Sequence, residues 1–344
     1  MSTPRRWDIF CRVIDNHGDL GVCWRLARQV AARGDLARLW VDDANALTWM
    51  APTQPPGVEV HPWPTQDAGV MPGEVVIEAF GCEIPDAFVA RMAARPVPPR
   101  WINLEYLSAE PYVERSHGLA SPQFHGPGAG LTKHFFYPGF TPRTGGLLRE
   151  ADLLAQHAAF DGRAWLTSQL GVSVQPEERV VSLFAYRNLR LDELLEALAT
   201  APTLLLACPG PLQAAVADRP GLRCVRLPYL EQDDYDRLLR ASDLNFVRGE
   251  DSFVRAHWAG RPFVWHIYPQ DDNAHHEKLK AYMDLAGLPA AWQACWRAWN
   301  GITADRLVIP SIAEAAPPAA RWRDDLAAQP DLLTQLERFL GVSR

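Results

Sequence analysis

The chain has 344 residues, 48% of them hydrophobic and 22% charged, with a formal net charge of -7. That length and apolar content suit two folded domains and exclude a disordered chain. The acidic balance excludes a protein that coats nucleic acid, and no apolar run reaches membrane-spanning length.

Trp7 to Ile14 reads as the first strand, an apolar run broken by Asp8 and Arg12. The polar turn Asp15-Asn16-His17-Gly18-Asp19-Leu20-Gly21 follows it. Val22 to Arg33 then reads as a helix, with Val22, Leu26, Gln29 and Val30 at helical spacing and Gly34 at its end. The proline-rich stretch PTQPPGVEVHPWP reads as loop. Strands are predicted at Leu39 to Val41, Val75 to Phe80 and Trp101 to Leu104, and a helix at Pro85 to Ala94. Residues 115–150 are rich in Gly, Pro, His and aromatics and break this rhythm. They read as an irregular excursion, and long structured loops in compact domains are often functional.

A second alternating set begins near Val180. Strands are predicted at Val180 to Phe184, Thr203 to Cys208, Leu222 to Leu227, Leu244 to Val247 and Pro262 to Trp265. Helices are predicted at Leu191 to Ala199, Asp233 to Ala241, Phe253 to Ala259, His275 to Ala286 and 321–340. Strand–helix alternation of this kind marks a parallel sheet with helices on both faces. The expected architecture is α/β, with two Rossmann-like lobes facing a cleft. Residues 1–155 form the N-terminal lobe, 156–320 the C-terminal lobe, and 321–344 a terminal helix packing back on the N-terminal lobe.

Cys11, Cys23, Cys82, Cys208, Cys224 and Cys295 form no C-x-x-C pair. Buried, reduced thiols are expected rather than a zinc site or a disulfide framework. MSTPRRWDIF lacks the apolar run and cleavage site of a secretory leader, so a cytoplasmic protein is expected.

Three polar clusters fall at predicted strand ends, where ligands of open α/β sheets bind. In the first, Asp15 and Asp19 lie four residues apart in a glycine-bearing turn. A strand–helix turn capped by Asp19 accounts for it structurally. Two carboxylates there also suit a cation or a proton donor, and they would repel a pyrophosphate. The second, Arg248-Gly249-Glu250-Asp251-Ser252, precedes a helix. A helix N-terminus is a ready anion site, Ser252 or Asp251 can cap it, and Arg248 can add charge-assisted bonds to phosphate. Glu250 beside phosphates needs another role, such as a sugar hydroxyl or a cationic acceptor. The third joins Phe184, Tyr186, Tyr229 and Gln232, where aromatic faces can hold a flat base and Gln can read its edge. Packing explains Phe184 equally well. His266 could touch a ligand or be a satisfied loop histidine. His275-His276 reads as a solvated helix start rather than a metal site, because adjacent helical residues diverge.

Taken together, IFCRVIDNHGDLGVCWRLARQ, FAYRN and DLNFVRGEDSFVRAHWAGRPFVWHIYPQDDNAHHEKL resemble the elongation factor P arginine rhamnosyltransferases, the EarP family. The resemblance covers nearly the whole chain. It implies a GT-B glycosyltransferase fold, dTDP-β-L-rhamnose as donor, inversion at the anomeric carbon, no metal and no cofactor, and an arginine of elongation factor P as acceptor. By matching position it implies catalytic roles for Asp15, Asp19 and Glu250. It implies donor binding by Phe184, Tyr186, Gln232, Arg248, Asp251 and Ser252, and Asn16, Gly18 and Tyr229 are expected to join them at the donor. The chain departs from the family pattern at His17, Arg187 and Tyr229, and none of these departures removes a carboxylate.

Acids suit this chemistry because a guanidinium stays protonated and its nitrogen lone pairs are delocalised. A carboxylate pair can grip it, fix its plane and accept a proton as the C–N bond forms. Two rival readings share the donor features. One is a GT-B glycosyltransferase with a small-molecule or lipid acceptor, and the other is a non-catalytic nucleotide-sugar-binding protein.

Overall fold

A computed structural model describes residues 3–14, 17–64 and 69–342. The chain divides into two units, Met1–Glu150 with Gln329–Arg344, and Ala151–Ala328.

The first unit begins with β1 (Arg6–Cys11), α1 (Gly18–Ala32), β2 (Leu36–Val41), α2 (Leu47–Met50) and β3 (Val58–Pro62). It continues with β4 (Val75–Ala79), α3 (Asp86–Ala93), β5 (Arg100–Leu104), α4 (Tyr112–Ser116), β6 (Ala120–Pro122) and β7 (Thr132–Phe136). The strands form one sheet in the order β3-β2-β1-β4-β5-β7-β6. All neighbours are parallel except the β6–β7 pair. Trp7, Ile9 and Cys11 of β1 face a core with Leu20, Cys23, Trp24 and Leu26 of α1. Phe10 faces the other side, with Trp40, Phe88 and Met92. A strand buried on both faces is what a parallel sheet between helices requires.

The buried acid of β1 is paired. The Asp8 carboxylate lies 2.7 Å from Arg38 Nε. It also accepts bonds from Arg38 Nη2 (2.8 Å), Trp40 Nε1 (2.8 Å) and the Gly73 amide (2.7 Å). The charge that interrupts the apolar run of β1 is thereby neutralised and fully hydrogen-bonded.

Several boundaries differ from the sequence expectation. Strand β1 stops at Cys11 because the next backbone donors turn to side chains. The Val13 amide donates to Asp42 Oδ1 (3.0 Å) and the Ile14 amide to Asp19 Oδ2 (2.9 Å). Helix α1 starts at Gly18, four residues before Val22. VEVHP is strand β3 rather than loop; among the described residues it pairs only with β2, and Pro62 is tolerated at such an edge. Residues 115–150 are not wholly irregular. Their TKHFF segment is β7, which extends the parallel sheet beside β5. Residues 117–119, 123–131 and 137–150 lack helix and strand.

The second unit comprises α5 (Leu153–Ala158), α6 (Gly162–Leu170), β8 (Arg179–Leu183), α7 (Leu191–Leu198), β9 (Thr203–Ala207) and β10 (Leu222–Arg226). Then come α8 (Gln232–Ala241), β11 (Leu244–Arg248), α9 (Asp251–Ala259), β12 (Phe263–His266), α10 (Ala274–Leu285), α11 (Ala290–Trp299) and α12 (Ile312–Ala327). Its sheet order is β10-β9-β8-β11-β12, parallel throughout. Helix α11 was not anticipated. It buries Trp292, Trp296 and Trp299, and the Trp296 indole donates to Phe263 O at 3.1 Å.

The expected single terminal helix is two. Pro330 has no amide hydrogen to continue a helix. Asp331 then caps α13 (Leu332–Leu340) by accepting the Thr334 amide at 3.0 Å. Helix α13 belongs to the first unit. Leu332, Leu333, Leu336 and Leu340 enter its core, and Arg33 reaches Asp331 at 2.8 Å and Glu337 at 2.6 Å.

All six cysteines are free, and all but Cys224 are buried. Cys224 is only partly covered, against the expectation of buried thiols throughout. Among the described residues no helix is long and apolar enough to cross a membrane.

Candidate active site

Both sheets change winding direction at one place. In the second unit the order reverses between β8 and β11, and in the first between β1 and β4. Loops beyond the carboxyl ends of strands flanking such a reversal form ligand crevices. Phe184, Ala185 and Tyr186 follow β8, Gly249 and Glu250 follow β11, and the acidic turn follows β1.

In the second unit the turn after β11 is fixed in three ways. Gly249 has φ +64°, a left-handed conformation that side-chain-bearing residues avoid. Its carbonyl accepts the Trp265 indole N–H at 2.9 Å. Ser252 Oγ accepts the Arg248 amide at 3.2 Å and donates back to the Arg248 carbonyl. Ser252 therefore ties the end of β11 to the start of α9 and does not occupy the N-cap. That position belongs to Glu250, which makes no side-chain cap bond. The first turn of α9 directs N–H groups and the positive end of its dipole towards this turn.

Arg248 ends β11 and is only 7% exposed. Its guanidinium carbon lies 4.2 Å from the centre of the Phe184 ring and 4.9 Å from that of Tyr186. Nη1 lies 3.4 Å from the Ala185 carbonyl. Among the described residues no carboxylate is within ion-pair distance of it. The interaction with two aromatic faces stabilises the cation in part. A buried guanidinium without a counter-ion is a site for an anion, and its planar fork matches phosphate.

Phe184 also meets Tyr235 edge-on, with ring centres 5.7 Å apart. Tyr235 lies three residues beyond Gln232, the buried first residue of α8, which starts one residue before its expected position. Burial raises the Tyr235 phenol well above its ordinary value, and Ser252 is a neighbour of that hydroxyl. Helices α8 and α9 thus begin beside the Phe184–Arg248 pair. Tyr229, on the loop before α8, is 52% exposed, and Arg187 is exposed. Asp251 opens α9. Arg248 contacts both Phe184 and Tyr186, whereas Tyr229 is half exposed.

In the first unit Gly18 opens α1 and Asp19 lies in its first turn. Asp19 is not the N-cap, which is His17. Its buried carboxylate reaches back to the Ile14 amide, closing the strand–helix turn from inside. The His17 ring meets Trp49 edge-on at 5.0 Å. Asp15 and Asn16 lie outside the described residues.

His275 is buried, not solvated as expected, and its Nδ1 accepts the Gln270 amide at 3.1 Å. Cys208, beyond β9, has its thiol pushed up to about 12 by burial, so it is an inert packing group. Among the described residues no group of three or more His, Cys, Asp or Glu side chains is placed to hold a metal ion.

The family model described as Elongation-Factor P (EF-P) rhamnosyltransferase EarP matches residues 7–341. A protein-arginine rhamnosyltransferase of Pseudomonas putida is 48% identical, over 97% of this chain and 98% of that protein. A solved structure described as the structural basis for EarP-mediated arginine glycosylation of translation elongation factor EF-P is 36% identical. It has a TM-score of 0.66 and covers 99% of this chain and 100% of its own. The spinosyn rhamnosyltransferase SpnG, at 14% identity and a TM-score of 0.56, covers 97% of this chain and 100% of its own. It shares the two-sheet α/β fold of GT-B glycosyltransferases. The chain belongs to the EarP family of elongation factor P rhamnosyltransferases.

Proposed function

We propose that the chain transfers L-rhamnose from dTDP-β-L-rhamnose to one arginine side chain of elongation factor P, with inversion and without a metal ion. The observation that carries this reading is Arg248: a buried guanidinium, lacking a carboxylate partner among the described residues, at the winding reversal of the second sheet. Family membership supports the arginine acceptor.

In this reading Arg248 and the first turn of α9, with Asp251 and Ser252, hold the diphosphate. Phe184, Tyr186, Tyr229 and Gln232 hold the nucleoside, and Asn16 and Gly18 contact the donor from the acidic turn. An acceptor guanidine nitrogen attacks the anomeric carbon. The bond to the diphosphate oxygen breaks, and its electron pair leaves with dTDP. The charge growing on that oxygen is stabilised by Arg248 and the helix dipole. Asp19 accepts the proton lost by the new C–N linkage, Asp15 orients the acceptor guanidinium, and Glu250 helps hold the reacting groups. Leu119 and Phe124, 54% and 77% exposed, offer apolar surface for the acceptor protein within 115–150. An enzyme that modifies a translation factor works in the cytoplasm.

The test is tandem mass spectrometry of elongation factor P after incubation with the chain and dTDP-β-L-rhamnose. One rhamnosyl group on one arginine is expected. Transfer only to a small-molecule or lipid acceptor would replace the protein-acceptor reading. Nucleotide binding without any transfer would leave a sugar-nucleotide sensor.

A further inference from the structure

His266 ends β12 and is the register partner of Arg248 at the end of β11. Register partners on parallel strands project to the same face, so the two side chains stand together at the carboxyl edge where ligands bind. His266 is 8% exposed. Its ring meets Tyr186 edge-on at 5.3 Å and Trp299 at 5.6 Å. Tyr186 is thus flanked by Arg248 and by His266.

Among the described residues neither ring nitrogen of His266 has a hydrogen-bond partner, and Nδ1 is sealed from solvent. An unsatisfied buried polar group in a folded protein calls for an explanation. The charged and titratable groups that act on the ring are Arg248 from β11 and His275 from α10. Burial, followed by these two, pushes the imidazole down to about 4, so it is neutral at physiological pH. A neutral imidazole carries one N–H. An orphaned N–H is the costlier defect, so the sealed Nδ1 keeps the lone pair and Nε2 carries the proton. That N–H needs an acceptor, and the ring stands beside the cation assigned to the diphosphate.

We propose that His266 is a donor-site residue whose Nε2–H hydrogen-bonds a phosphate oxygen of the sugar nucleotide alongside Arg248. The role rests on the donor reading above and extends it. The bond is neutral-to-anion and leaves with the dTDP, so it acts on ground-state binding and on the leaving group alike.

Two variants separate hydrogen bonding from packing. His266→Phe keeps a ring between Tyr186 and Trp299 and removes the N–H. His266→Gln places an N–H near the Nε2 position and removes the ring. Calorimetry with dTDP and with thymidine reads the difference. His266→Phe should bind dTDP at least about tenfold more weakly, as for a lost bond to a charged group, and bind thymidine like the wild type. His266→Gln should retain dTDP affinity within a few-fold. Wild-type dTDP affinity in His266→Phe, or an equal loss for both ligands, overturns the proposal and makes His266 a packing residue. Nitrogen-15 NMR of the wild type gives an independent reading: dTDP should shift the His266 Nε2 resonance and slow exchange of its proton, and an unmoved resonance overturns the bond. Failure of wild-type protein to bind dTDP at all would instead remove the donor reading itself.

Discussion

Replacing Arg248 with Met should separate stability from donor binding. In the free protein the guanidinium is desolvated, at 7% exposure, and has no carboxylate within ion-pair distance among the described residues. Burying a charge costs several kcal/mol even after relaxation. Two aromatic faces at 4.2 and 4.9 Å return roughly 0.5–2 kcal/mol each. The Ala185 carbonyl, 3.4 Å from Nη1, is at the outer limit of hydrogen bonding and adds little. These contributions nearly cancel, and a Met side chain of similar length fills the same volume. Arg248→Met should therefore leave the melting midpoint unchanged or raise it, by at most about 2 kcal/mol of stability. The same change removes at least one charge-assisted bond to the diphosphate, worth about 1.5–3 kcal/mol, and so weakens dTDP binding by at least roughly 10- to 150-fold. Thermal melting and calorimetric titration of one preparation give both values. A loss of more than about 2 kcal/mol of stability would make Arg248 a structural residue, and unchanged dTDP affinity would remove it from the diphosphate site.

Asp19→Asn keeps an oxygen that can accept the Ile14 amide, so the turn should fold and dTDP binding should persist while rhamnosyl transfer is lost; ordinary turnover would overturn the base assignment. Asp8→Ala should cost about 3–5 kcal/mol in denaturant unfolding, because Arg38, the Trp40 indole and the Gly73 amide lose a buried partner; a loss under about 1 kcal/mol would show that water or relaxation replaces it. Acid should destabilise the second unit. His257 and His266 are both pushed down to about 4 from 6.5, chiefly by burial. The unfolded chain takes up these protons first, so the contribution of the two histidines is constant above pH 6.5 and falls as pH drops towards 4, by roughly 3 kcal/mol per histidine across that window. A melting midpoint unchanged between pH 7 and pH 5 would contradict it.

The alternation of strands and helices was readable because each buried strand is an apolar run closed by a turn. Val75 to Ala79 and Thr203 to Ala207 are buried throughout. Strand β3 escaped notice because its local composition is that of a loop, and only its place at a sheet edge makes the proline acceptable. Helix α1 begins inside a run of turn-forming residues. At its start the Asp19 carboxylate folds back to the Ile14 amide, a local side-chain bond that the residue pattern did not show. Helix α11 was overlooked although Trp292, Trp296 and Trp299 stand at i, i+4 and i+7 in AAWQACWRAW, a helical spacing that gives one buried face. Arg248, Phe184 and Tyr186 were each marked in the sequence, since strand ends identify themselves by polarity. The contact of Arg248 with the two rings was not readable, because it requires β8 and β11 to be neighbours. For the same reason His266 was left between a ligand contact and a loop histidine: its pairing with Arg248 exists only once β11 and β12 are in register.

The most direct measurement is a crystal structure of the chain with dTDP bound. The diphosphate oxygens are expected within hydrogen-bond distance of the Arg248 guanidinium and the amides that open α9, with the thymine ring against Phe184. A nucleotide bound elsewhere, with Arg248 still enclosed only by Phe184 and Tyr186, would contradict the assignment of the donor site and the transfer chemistry built on it.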